Sequence, residues 1–114
     1  MSDRQETLDV YQTGPLTVVG FGGREILDLV DVTKCRDQLI QLIQAHRTQT
    51  LAFDLAGVRL IPSGMLGLLA SIRRQNVAVE IYNPSKDVLE VLEITGLTKI
   101  MPVSYTDGDG SPTA

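Results

Sequence analysis

Three apolar stretches separated by little more than turn residues constrain this chain most. LAFDL (51–55), MLGLLASI (65–72) and VAVEI (77–81) follow one another closely. The outer two are short and mostly apolar, as strands buried in a parallel sheet are, while the middle one repeats its apolar positions at helical spacing. A strand, a helix and a strand in that order are joined most simply by a right-handed crossover between parallel strands. Any fold for this chain is therefore built round a βαβ unit.

The flanking sequence extends that unit. Leu8, Val10 and Gln12 alternate with Asp9, Tyr11 and Thr13, the pattern of a half-buried strand. Gly14-Pro15 turns the chain into a second strand, LTVVGF (16–21), paired antiparallel with the first. Residues 22–31 read as a loop. Val32, Cys35, Leu39, Leu42, Ile43 and His46 then recur at helical spacing behind Asp31 as N-cap, with Lys34, Arg36, Asp37, Gln38, Gln41 and Gln44 on the wet face.

In the next helix, which ends near Gln75-Asn76, Met65, Leu68, Leu69 and Ile72 make the core face. Asn83 is read as the cap of a third helix, with Pro84 at its first position. Val88, Val91, Leu92 and Thr95 line one face of it, Gly96 ends it in the left-handed region, and Leu97 folds back on its last turn. KIMPV (99–103) is a last strand. The order β-β-α-β-α-β-α-β predicts an α/β fold: one domain over 8–103 with a mixed sheet of four to five strands and amphipathic helices. Residues 1–7 are expected to be flexible, and 104–114, polar and rich in Gly and Pro, to form a disordered tail.

Composition narrows the function. The chain has 114 residues, enough for one core without staples, and a net charge of -4. Acidity removes the basic footprint of a nucleic-acid binder, and 4% aromatics with no Trp leave little for base stacking. Cys35 and His46 are the only residues of their types, so neither a disulfide nor a zinc site can be assembled, and no cofactor is implied. A lone cysteine suits a reducing cytoplasm, and MSDRQETLDV does not resemble a signal peptide. No apolar run approaches the roughly 20 residues a membrane helix needs, so no membrane insertion is expected.

The junction Ile61-Pro62-Ser63-Gly64 should lie beyond the C-terminal ends of the strands, the usual functional edge of an open α/β sheet. Ser63 can cap the following helix by accepting a hydrogen bond from the Leu66 amide, and the exposed amides form a weak anion site. The outer side of that helix carries Leu66, Gly67, Ala70, Ser71, Arg73 and Arg74 and is short of charge near its start. Such a surface suits a partner's backbone, or a covering segment of the same chain.

Other motifs carry less. Gly20-Phe21-Gly22-Gly23 has Glu25 where a dinucleotide loop needs its third glycine. Asp107 and Asp109 lack the later Glu of a calcium loop. Ile61 and Met65 stand where a nucleophile elbow around Ser63 would need glycines, and His46 is read as facing the core.

The stretches DLAGVRLIPSGMLGLLASIRR and VAVEIYNPSKDVLEVLEITGL resemble the STAS domain of anti-sigma-factor antagonists over roughly residues 8–103. Asp54-Leu55, Val58, Ile61, Leu66-Gly67 and Leu69 match the family pattern D-L-S-x-V-x-x-I-D-S-S-G-L-G-x-L. Leu92, Thr95, Gly96 and Leu97 match the later L-x-x-T-G-L. The resemblance implies a bacterial, non-enzymatic module for signal transduction and transcription regulation. It docks on an anti-sigma factor or serine-kinase-like regulator through the start of the second helix.

The expected partner surface is Pro62, Ser63, Gly64, Met65, Leu66, Gly67, Ala70, Arg73 and Arg74. In the family a serine of D-S-S-G is phosphorylated, which puts close to two negative charges into the contact. Aligned without a gap, Pro62 replaces the Asp, Ser63 the first Ser, Gly64 the acceptor Ser and Met65 the Gly. A one-residue gap instead makes Ser63 the acceptor. The other readings left open are a nucleotide or ligand sensor, a transporter-associated subunit, and a weak homodimer.

Overall fold

The structure is a computed structural model and describes residues 8–22 and 32–105. The expectations for 1–7, for the loop beyond Gly22, for Asp31 as a cap and for residues 106–114 lie outside the described residues.

The element order is β1 (Asp9–Gln12), β2 (Leu16–Gly20), α1 (Val32–His46), β3 (Thr50–Asp54), α2 (Ser63–Arg73), β4 (Ala78–Tyr82), α3 (Lys86–Ile94), a 3-10 turn (Leu97–Lys99) and β5 (Val103–Ser104). The five strands form one sheet in chain order. β1 pairs antiparallel with β2, and the remaining neighbours are parallel. This is the mixed α/β sheet that the periodicities predict.

Right-handed crossovers that all step the same way along a sheet place their helices on one face. Burial follows that rule. Val19, Phe53, Ile81 and Val103 lie in register across the four parallel strands, and Leu51 pairs with Val79 one row away. These rows point into the core, where they meet Cys35 and Leu39 of α1, Met65, Leu68, Leu69 and Ile72 of α2, and Val88 and Leu92 of α3. The rows between them hold Val18, Ala52 and Glu80, then Gly20, Asp54, Tyr82 and Ser104, and form the other face. There only Ala52 and Gly20 are buried. A largely parallel sheet usually has both faces covered; among the described residues, this one is covered on one.

Several local expectations are corrected. β1 does not send Leu8, Val10 and Gln12 to one buried side. Its register slips between Val10 and Gln12, so Gln12 falls opposite Val18 on the open face, and Val10 is 41% exposed at the sheet edge. His46 is exposed at the end of α1, not inward. The last strand is Val103–Ser104, because Leu97–Lys99 coil into a 3-10 turn; Ser104 therefore belongs to the sheet and not to the tail.

Asn83 does not cap α3. It sits at φ 60 and turns its side chain to Asp54, and Ser85 caps the helix by accepting from the Val88 amide at 3.2 Å. Gly96 ends α3 as expected, at φ 79, and Leu97 packs back on the core. Replacing Ser85 by Ala is expected to cost about 1 kcal/mol in urea unfolding, whereas Ser63→Ala should stay within about 0.5 kcal/mol of the parent. A loss at Ser63 equal to that at Ser85 would contradict these helix starts.

Candidate functional site

The candidate site begins where β3 ends. Asp54 Oδ1 accepts the Ala56 amide at 3.0 Å and the Asn83 side-chain amide at 3.2 Å. The Leu55 amide donates to the Tyr82 carbonyl at 2.8 Å, extending the β3–β4 pairing by one residue. Gly57 then turns the chain at φ 83, a conformation that favours glycine, and the Val58 amide closes the turn on the Leu55 carbonyl. Leu55 and Val58 are buried. Asp54, Leu55 and Val58 of the first motif thus hold the connection that delivers the chain to α2.

At the helix start the capping residue is Pro62, in extended conformation, with no side-chain cap. Its carbonyl accepts from the Met65 amide at 3.0 Å and the Leu66 amide at 3.4 Å. Ser63 is already helical, so its hydroxyl does not perform the capping expected of it. Ser63 and Gly64 are exposed there, and Pro62 is half-buried.

Along α2, Ser63, Gly67, Ala70 and Arg74 follow at spacings of four, three and four and make one stripe. Ser63, Gly67 and Arg74 are exposed, Ala70 is half-buried, and residues 60–72 carry no charge. A side chain added at Gly67 would meet nothing within 4 Å, and one at Gly64 would only touch Val32 at 3.6 Å.

Two residues expected on this surface are set apart from it. Met65 is 1% exposed and belongs to the core. Arg73 leaves the stripe because its Nε–H donates to the Ile100 carbonyl at 3.1 Å, on the side of α3. Leu66 is half-buried and packs on the core with one edge outward.

Sequence reasoning missed Leu60, which is 60% exposed beside Pro62. The signal was present in the alternation of Arg59, Leu60 and Ile61: with Ile61 packed on the core, Leu60 must turn away. On the open sheet face nearby, Tyr82 donates to Glu80 Oε1 at 3.4 Å. Burial raises the Tyr82 phenol above its ordinary range, and the Glu80 charge and hydrogen bond add to it. No helix among the described residues is long and apolar enough to cross a membrane. None of their side chains forms a metal-binding cluster of three or more His, Cys, Asp or Glu.

Architecture and motifs together define a small mixed-sheet α/β domain organised round a strand–turn–helix rim. The chain belongs to the STAS domain family, whose model matches residues 7–109. Its fold is similar to that of the anti-sigma factor antagonist SpoIIAA in its unphosphorylated form: TM-score 0.74, 19% identity and 90% of each chain covered. It is also similar to an anti-sigma-factor antagonist (STAS) domain protein from Planctomyces limnophilus, with TM-score 0.71, 19% identity, and 90% of this chain and 92% of that one covered. The Bacillus cell fate determinant SpoIIAA in its phosphorylated form aligns at TM-score 0.65 and 18% identity, over 90% of this chain and 94% of that one. No curated protein sequence matches the chain.

Proposed function

We propose that this STAS domain is a non-enzymatic regulatory module of the bacterial cytoplasm that grips an anti-sigma factor or serine-kinase-like regulator. The contact runs along the start of α2, from Leu60 and Pro62 through Ser63, Gly64, Leu66 and Gly67 to Ala70 and Arg74. The observation that carries this reading is the stripe, free of charge from Ser63 to Ala70, with open space above Gly67. The uncharged, small residues at its centre let another backbone approach and lose little hydration when covered. Gly64 stands at the acceptor position in the gapless register and has no hydroxyl. The module therefore binds constitutively, without a phosphorylation switch.

The test is a titration of the chain against the anti-sigma, kinase-like protein encoded nearest to its gene. Gly67→Asp buries an unpaired carboxylate in the contact and should weaken binding by about thirtyfold or more. Its melting temperature should hold, because Gly67 is exposed with open space round it and Asp is no worse than Gly inside a helix. Undiminished binding by this variant would remove the surface from consideration. Incubation with the same kinase and ATP should add no phosphate detectable by mass spectrometry; a phosphate on Ser63 would show that the switch is retained.

A further inference from the structure

Asn83 takes a backbone conformation that no helix end requires of it. It lies at φ 60, in the left-handed region. Arg47 and Asn76, the other non-glycine residues described there, lie just past the ends of α1 and α2, where such a residue stops a helix. Asn83 follows a strand. Its backbone amide donates to the Ser104 carbonyl at 2.9 Å, continuing the β4–β5 pairing, and its side-chain amide reaches the other way to Asp54 Oδ1 at 3.2 Å. One residue thus ties β3, β4 and β5 together at the ends of their ladders.

The far end of that tie is the turn that delivers the chain to α2. Asp54 Oδ1 also accepts the Ala56 amide at 3.0 Å, and the Val58 amide closes on the Leu55 carbonyl. A carboxylate oxygen can accept two bonds at once, and a bond to a charged acceptor is the stronger kind. Backbone pairing reaches as far as the Leu55 amide on the Tyr82 carbonyl. Past it, the Asn83 side chain continues the hold of β4 on the turn. Granted that the start of α2 grips a partner, we propose that Asn83 is a positioning residue for that surface. Through Asp54 it sets the direction in which residues 56–62 leave the sheet, and with it the place of Leu60, Pro62 and Ser63 before the partner. Asn83 itself is half-buried and acts only through Asp54.

The experiment takes two measurements on each variant of the full chain. One is affinity for the anti-sigma, kinase-like protein encoded nearest to the gene. The other is amide hydrogen exchange at Ala56 and Val58, which needs no partner. Asn83→Gly keeps the left-handed backbone without steric cost and removes only the side-chain amide. It should weaken binding about fivefold and speed exchange at both amides about tenfold, with exchange at Phe53 unchanged. Asn83→Asp sets a second carboxylate against Asp54 and should weaken binding further. Adding Asp54→Asn to it restores a donor, now reaching from position 54 to position 83, and should return both readouts to within about twofold of the parent. A residue that served stability alone would leave the affinity of the folded chain unmoved. Unchanged exchange in both single variants overturns the proposal, as does faster exchange with binding unmoved, or an exchanged pair no better than Asn83→Asp. If Gly67→Asp binds undiminished, the α2 surface is the reading that fails, and the exchange rates still decide whether Asn83 holds the turn.

Discussion

Phe53→Ala is expected to lose about 4 kcal/mol of folding stability. Phe53 is 0% exposed in the central strand β3, in register with Val19 on one side and Ile81 on the other. It lies in the face on which all three helices pack, so its ring fills space that no neighbour can enter without moving a helix. Truncating a buried phenylalanine costs about 3–5 kcal/mol, from lost transfer energy and the cavity left behind. Domains of this kind have about 5–15 kcal/mol in total. With a urea slope near 2 kcal/mol/M, the midpoint should fall by about 2 M. Val18→Ala is the control: Val18 is one residue before Val19 on β2, half-buried on the open face, and should cost about 1 kcal/mol or less. Equal losses at Phe53 and Val18 would show that the sheet is covered on both faces.

Gly20→Val should be nearly as damaging, for the opposite reason. A side chain at Gly20 would begin 2.6 Å from Cε2 and 2.9 Å from the hydroxyl of Tyr11, and 2.9 Å from the Asp54 carbonyl oxygen. The Tyr11 ring can swing aside, at the cost of its hydroxyl's bond from the Gly22 amide. The Asp54 carbonyl cannot, because it is backbone of β3 paired in register with Gly20. β2 and β3 must therefore separate locally, and overpacking of this sort costs about 1–3 kcal/mol, with a β-branched residue at the upper end. The comparison of Gly20→Ala in the parent and in a Tyr11→Ala background divides the cost. Whatever remains without the ring belongs to the carbonyl. If nothing remains, the strands are not as close as described. Because Asp54 also anchors the turn towards α2, this strain reaches the rim that presents Ser63 and Gly67.

The STAS motifs were legible because they are periodic and local. The Asp54 side chain accepts from the Ala56 amide, the Val58 amide closes on the Leu55 carbonyl, and Gly96 ends α3 at φ 79, each within a few residues. The proposed binding stripe was legible in part. Its lack of charge can be read from residues 60–72 alone. The helical wheel already sets Met65 on the core face, against its place on the partner surface; that Arg73 is drawn towards α3 could not be read, because a wheel shows angles and not what lies across from them. Caps were read least well. Ser63 and Asn83 are both good N-cap residues by type, yet the helices start one and two residues away from where those roles would put them. Which residue caps depends on backbone angles that the preceding turn dictates, and in both cases the end of β3 is involved.

Alternation of apolar and polar positions, and of strand with helix, was decided by the amino-acid order, because side-chain direction along a strand or helix repeats with a short fixed period. The choice of which sheet face lies under helices came only from assembly. It follows from three crossovers of one hand stepping in one direction, a property of strands far apart in the chain. The same holds for the exposure of Ile94, Leu60 and Val10: each is apolar, and only the neighbours brought by the fold, or their absence, determine whether it meets core or water.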